Sequence, residues 1–152
     1  RSSAIAMLAE HVIFESGFIL DEEPYDNISK YIDESCVSAG IDPLLVHTIV
    51  SSAESSAYSI DLNGAIGYMY VKPTTARAYP DRDPFFTEDN IYMGVHHLSE
   101  LIAEKGNIEA AVEKYFTPDN SPTGAVNSAR AANVYKAYIG ILADLSGERH
   151  HP

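Results

Sequence analysis

A chain of 152 residues, 45% hydrophobic and 21% charged, has the length and balance of one globular domain with a sizeable core. Its formal net charge of −12, with no basic cluster, argues against nucleic-acid and anionic-membrane binding, since phosphate contacts need Lys and Arg. No apolar run reaches bilayer-spanning length, no charged segment followed by an apolar one marks a signal peptide, and the lone Cys36 excludes an intrachain disulfide. Spacing then predicts a helix over residues 3–14, capped by Ser3, with Ile5, Leu8, Ala9 and Val12 on one face and Gly17 beyond its end. Tyr25 to Val37 suits a second helix with Ile28, Tyr31 and Ile32 inward and Cys36 as a small buried side chain.

Asp42-Pro43 restarts the helical pattern, Asp as cap and Pro in the first turn. Val46, Ile49, Val50 and Ala53 mark a buried stripe, and Glu54 borders it at the helix end. Residues 58–67 read as loop, with Gly64 and Gly67 at its turn. Lys72-Pro73-Thr74 opens a short helix that Tyr79-Pro80 terminates. Thr87 is expected to cap the next helix, with Glu88 and Asp89 at its positive end and Ile91, Val95, Leu98 and Ile102 inward. Gly106 closes it, and Asn107 caps another with Ile108, Ala111, Val112 and Tyr115 on one side. After a proline-containing loop over 117–123, a last helix is expected from Ala125 to Leu145, with Val134, Tyr138 and Ile141 inward. The expected architecture is a mostly α single domain over 1–147 with a tail at 148–152. The glycine turn is the one place where a small β-hairpin is expected.

Glu54 is the residue most suited to chemistry. An apolar helix ending in one carboxylate, followed by a polar loop and a glycine turn, can hold that carboxyl at the wall of a cleft. To stay protonated at neutral pH a Glu must be raised from about 4.3 by roughly 2–3 units, at a cost of about 3–4 kcal/mol. Val50, Tyr68, Met69 and Tyr70 are the neighbours in sequence that can supply such burial. Asp61 and Asn63 lie nearest in the polar loop. The six histidines include the adjacent pairs His96-His97 and His150-His151, and none has metal-ligand spacing, so neither metal nor cofactor is implied.

Several of these segments resemble the lytic transglycosylases, the relatives of goose-type lysozyme that cleave the glycan of bacterial peptidoglycan. The family's Asp-Pro-x-Leu and catalytic Glu-Ser stand here as Asp42-Pro43-Leu44-Leu45 and Glu54-Ser55. Its Gly-Ala-x-Gly-Leu-Met-Gln and following Pro correspond to Gly64-Ala65-Ile66-Gly67-Tyr68-Met69-Tyr70 and Pro73. Asn90-Ile91, Gly94, Leu98 and Tyr115 follow in the family's order, so the likeness covers residues 41–115. The earlier Glu15-Ser16-Gly17-Phe18 is similar in isolation but lacks the glycine turn that should follow it.

The resemblance implies a lysozyme-like helical fold and a single-acid mechanism. Glu54 would protonate the oxygen between N-acetylmuramic acid and N-acetylglucosamine, then accept the C6 hydroxyl proton as a 1,6-anhydro ring closes. Ser55, Asp61, Asn63, Tyr68, Met69, Tyr70 and Tyr115 would line the glycan groove, Tyr115 bonding the acetamido group or the carboxylate. It also implies a periplasmic or secreted location and partners such as secretion systems, pili or phage. The chain departs from the pattern at Tyr70, where Gln is usual, at Phe116-Thr117-Pro118, where Asn-Ala-Gly is usual, and in a shorter loop after Glu54. Two alternatives follow: a catalytically silent relative that binds glycan or serves in assembly, and a lysozyme-like hydrolase with Asp61 as second carboxylate.

Overall fold

The computed structural model of the chain describes residues 25–52, 60–61, 63–119 and 128–147, and six helices are found among them. Helix α1 (Tyr25–Ala39) buries Ile28, Ile32 and Cys36, which recur every four residues, while Val37 on another face stays exposed. Helix α2 (Pro43–Ser51) starts as its sequence dictates: Asp42 Oδ1 accepts the Leu44 amide at 3.0 Å and Pro43 occupies the first turn. Leu45, Val46 and Ile49 are its fully buried stripe. The Ser52 hydroxyl then donates to the Ile49 carbonyl at 2.6 Å, satisfying one of the acceptors that a helix end leaves open.

Helix α3 (Pro73–Ala78) is a short helix opened by its proline. Helix α4 (Thr87–Lys105), the longest, buries Ile91, Val95 and Leu98 and ends at Gly106 in the left-handed conformation. Its cap differs from expectation. Phe86 occupies that position without a side-chain bond, and Thr87 is already helical and buried. The first turn is instead held by Asp89, whose carboxylate accepts Arg82 Nη1 at 3.1 Å and the Asp83 amide at 3.0 Å. The Arg82 guanidinium in turn lies 3.4 Å over the Tyr92 ring.

Helix α5 (Ile108–Tyr115) is capped by Asn107, whose Oδ1 accepts the Ala110 amide at 2.8 Å. Helix α6 (Ser128–Leu145) turns Val134 and Tyr138 inward, and the Tyr138 hydroxyl donates to Asp42 Oδ2 at 2.7 Å. One aspartate thus caps α2 and ties it to α6. Helix α4 packs on α1, α3 and α5, while α6 closes the other side against α5 and α2. Their shared core includes Ile32, Leu45, Ile49, Met69, Ile91, Leu98, Val112, Tyr115 and Phe116.

The expected hairpin is reduced to two isolated bridges, Ile60 with Ile66 and Ile66 with Val71; no strand forms among the described residues. The cause is local. Asp61 Oδ1 takes the amides of Asn63 and Ala65, at 2.8 and 2.9 Å, so side chain replaces strand partner at that point. The helix expected over 3–14, the candidate residues Glu54 and Ser55, the start of the last helix at 125–127 and the tail at 148–152 lie outside the described residues.

Candidate functional site

The glycine turn is folded back on itself by two reciprocal bonds. The Ile66 amide donates to the Val71 carbonyl at 2.9 Å, and Val71 returns the bond at 3.0 Å. Between them the chain reverses through Gly67 at φ +69° and Tyr70 at φ +50°. Only glycine fits at Gly67, because an added Cβ would come within 2.6 Å of the Asn90 amide nitrogen. Asn90 uses its whole side chain here. Its Oδ1 accepts the Met69 amide at 3.0 Å, while Nδ2 donates to the carbonyls of Ile66 at 2.8 Å and Pro84 at 2.9 Å.

Met69 lies at the bottom of this turn and is fully buried, and its backbone amide and carbonyl are both engaged within the protein. Its carbonyl accepts the hydroxyl of Tyr115, which reaches it from the end of α5. Gly94 on α4 makes the approach feasible: a Cβ there would fall 2.5 Å from Met69 Cβ and 2.6 Å from the Tyr115 hydroxyl. Tyr115 is itself buried, and burial raises its hydroxyl far above the usual phenol range, so it stays a neutral donor. Gly64 to Met69, Asn90, Gly94 and Tyr115, scattered in sequence, therefore meet in one bonded unit.

Above this floor stands an aromatic and cationic corner. Tyr70 packs on Phe116 with ring centroids 5.3 Å apart, and Phe116 meets Tyr115 edge-on at 5.3 Å. The Arg130 guanidinium, from the first turn of α6, covers Phe116 at 4.7 Å and Tyr70 at 5.5 Å. Its Nε donates to the Ser52 hydroxyl at 3.2 Å, at the end of α2. Burial, with Asp61 nearby, raises the Tyr70 hydroxyl above its ordinary value. Tyr68 is half-buried, whereas Asp61 and Asn63 are exposed at the rim. From Ser52 a groove of about 390 Å³ runs between α2 and α6, walled by Leu44, Thr48, Val134, Ala137 and Ile141.

The other flank is a lock between the turn and the segment after α5. Lys72, buried, donates Nζ to the carbonyls of Thr117 at 2.9 Å and Lys114 at 3.4 Å, a cation placed where helix carbonyls end. Asp119 accepts the Thr74 amide at 2.9 Å and its hydroxyl at 2.6 Å, capping α3 from across the loop. His97 lies against the Tyr115 ring at 5.8 Å; burial, and then the charge of Lys72, push its pKa down to about 4. His96 points elsewhere and stacks on Tyr92 at 4.1 Å. Among the described residues no group of three or more His, Cys, Asp or Glu is placed to hold a metal ion.

Of the sequence-predicted residues, Met69, Tyr70 and Tyr115 are brought together, and Asp61, Asn63 and Tyr68 stand around the same turn. Arg130 and Ser52 are not picked out by the sequence reading. The signal was present in part, because Arg130 continues the inner stripe of Val134 and Tyr138 one turn earlier. Compared with protein-family models, curated proteins and solved structures, the chain matches none.

Proposed function

We propose that this chain is a peptidoglycan-cleaving domain of the lytic transglycosylase kind, with a lysozyme-like arrangement of helices around the glycine turn and Glu54 as its acid and base. One observation carries the reading. Three of the segments on which the resemblance rests, the glycine turn, Asn90 with Gly94, and Tyr115, meet in a single turn-supporting unit. A groove opening at Ser52, two residues before Glu54, gives a glycan strand somewhere to lie. Protonation of the bridging oxygen by Glu54, assisted by the substrate's own N-acetyl group, then leaves an anhydro end. Such action belongs to the cell wall, in the periplasm or outside the cell, beside an assembly partner. No helix among the described residues is long and apolar enough to cross a membrane.

The test is digestion of purified sacculi followed by mass spectrometry of the released fragments. Anhydro ends, lighter by one water than hydrolytic ends, are expected. Glu54→Gln should lower release by about 10²–10⁴-fold, the usual worth of a general acid. Hydrolytic ends would move the reading to the lysozyme-like alternative with Asp61. Against that alternative, Asp61 Oδ1 is already committed to two backbone amides.

A second reading, glycan binding without cleavage, is favoured by the corner at Tyr70 and Phe116. Both departures from the family pattern are buried and packed on each other. Equal wall binding and no release by both the unaltered chain and Glu54→Gln would decide for it.

A further inference from the structure

A second cavity lies between α1 and the first two turns of α4, away from the glycine turn and from the groove at Ser52. It encloses about 210 Å³, and its walls include Tyr31, Glu34 and Ser35 of α1, Glu88 and Tyr92 of α4, and Arg82 from the loop before α4. Ser35 is only 7% exposed, yet its hydroxyl has no hydrogen-bond partner among the described residues. Buried hydroxyls are nearly always bonded, so this one points to a partner held in the cavity. The rest of the wall says what kind of partner. Arg82 is already committed, with Nη1 on Asp89 at 3.1 Å and its guanidinium 3.4 Å over the Tyr92 ring. Glu34 and Glu88 are exposed, and their carboxylates only accept. Lys30 stands 3.9 Å from Glu34 with both side chains mostly exposed, a pairing that contributes little. Against Arg82 and the positive end of α4 stand Asp89, Glu88 and Glu34, in a chain whose net charge is −12. The cavity is therefore rich in acceptors and poor in free donors.

We propose that this cavity is a binding site for a primary ammonium on a short aliphatic chain, the group that a free diamine or a lysine side chain presents. An ammonium has three donors and no acceptor. One meets the Ser35 hydroxyl inside, and the others face Glu34 and Glu88 at the mouth. The aliphatic stem lies along Tyr31 and Tyr92, both half-buried. Pockets that enclose drug-sized ligands run to about 300–1,000 Å³, so this smaller one suits a single such group. An anion is opposed by the two carboxylates, and a purely apolar ligand leaves the Ser35 hydroxyl without a partner. The site is independent of the glycan-cleaving reading and stands or falls without it.

The experiment titrates the full, isotope-labelled chain with cadaverine at low salt and follows the amide chemical shifts. Pentanol is the neutral control, and Nα-acetyl-lysine methylamide presents the same group as a protein would. Saturable shifts are expected in α1 from Tyr31 to Ser38 and in α4 from Glu88 to Tyr92, with Kd of about 0.1–10 mM, the range open to so small a ligand. Pentanol should give none. Ser35→Ala should weaken binding by about 3–10-fold, and the Glu34→Gln/Glu88→Gln pair by about 10-fold or more. Ser35→Ala removes an unpartnered hydroxyl and adds a good helix former, so without amine its urea midpoint should be no lower than the parent's. A lower midpoint would show that the hydroxyl serves the fold, and would overturn the site. So would pentanol binding as well as cadaverine, shifts spread without saturation over the acidic surface, or an affinity indifferent to both variants. Tighter binding of the lysine derivative assigns the group to a protein partner, and tighter binding of cadaverine to a free amine; either supports the site. None of these outcomes bears on wall cleavage, which the sacculus digestion reads separately.

Discussion

Tyr115 shows how one hydroxyl can be claimed by two roles. The resemblance makes it a substrate contact, yet its hydroxyl donates to the Met69 carbonyl in the buried floor. Tyr115→Phe leaves that carbonyl without its donor, which should cost about 1–3 kcal/mol in urea unfolding. If the hydroxyl serves the floor alone, KM for glycan stays unchanged in this variant; a several-fold rise would make it a ligand contact. Gly94 tests the same spot from the other side. Gly94→Ala puts a methyl 2.5 Å from Met69 Cβ, and should destabilise by at least about 1–3 kcal/mol because the core is already full.

His97 gives a third test at this scale. Burial, then Lys72, hold its folded pKa at about 4, below the ordinary 6.5. Between those values the unfolded chain binds a proton that the folded chain refuses, so stability falls as pH drops from about 6.5 to about 4. The urea midpoint of the parent should therefore decline over this window more than that of His97→Gln. Equal declines would show that other groups set the acid limb.

Among the elements, α2 and α6 are joined by Asp42, which caps one with Oδ1 and accepts Tyr138 from the other with Oδ2. Asp42→Ala should cost about 1–2 kcal/mol from the cap alone. Tyr138→Phe should be smaller, and the double variant should be less than additive, because both remove the same bond. A strictly additive cycle would mean that the pair does not couple the helices.

The helices are legible in the sequence because a 3.6-residue apolar period and cap residues such as Asp42, Asn107 and Gly106 are local signals. The cap of α4 is not legible. Thr87 has the right chemistry for it, but the carboxylate that holds this turn, Asp89, is recruited by Arg82 from a preceding loop. The glycine turn is legible as a turn, yet its support is long-range, and only the fold brings Asn90 and Tyr115 to it. Arg130 is legible only as a continuation of the Val134 and Tyr138 stripe; its contacts with Ser52, Tyr70 and Phe116 join three segments that no spacing rule connects.

At the scale of the whole molecule, the charge of −12 opposes approach to an anionic cell wall. If the wall is the substrate, kcat/KM on intact sacculi should rise as salt is raised toward about 0.15 M, where charges are screened beyond about 8 Å. A fall with salt would point to a cationic docking face instead. Cys36 offers a gauge of opening for the entire fold. Burial, and then Asp33, push its thiol up to about 12, so labelling should be negligible in the native state and prompt once the helices separate.

The bonds that Asn90 and Tyr115 make to the turn have a last consequence. Because the amide of Met69 and the carbonyls of Ile66 and Met69 are already engaged within the protein, this wall attains its working shape during folding and has little freedom left to lose. Under the proposed function, a strand of sugar arriving there would meet a finished mould, and only the sugar would have to adjust.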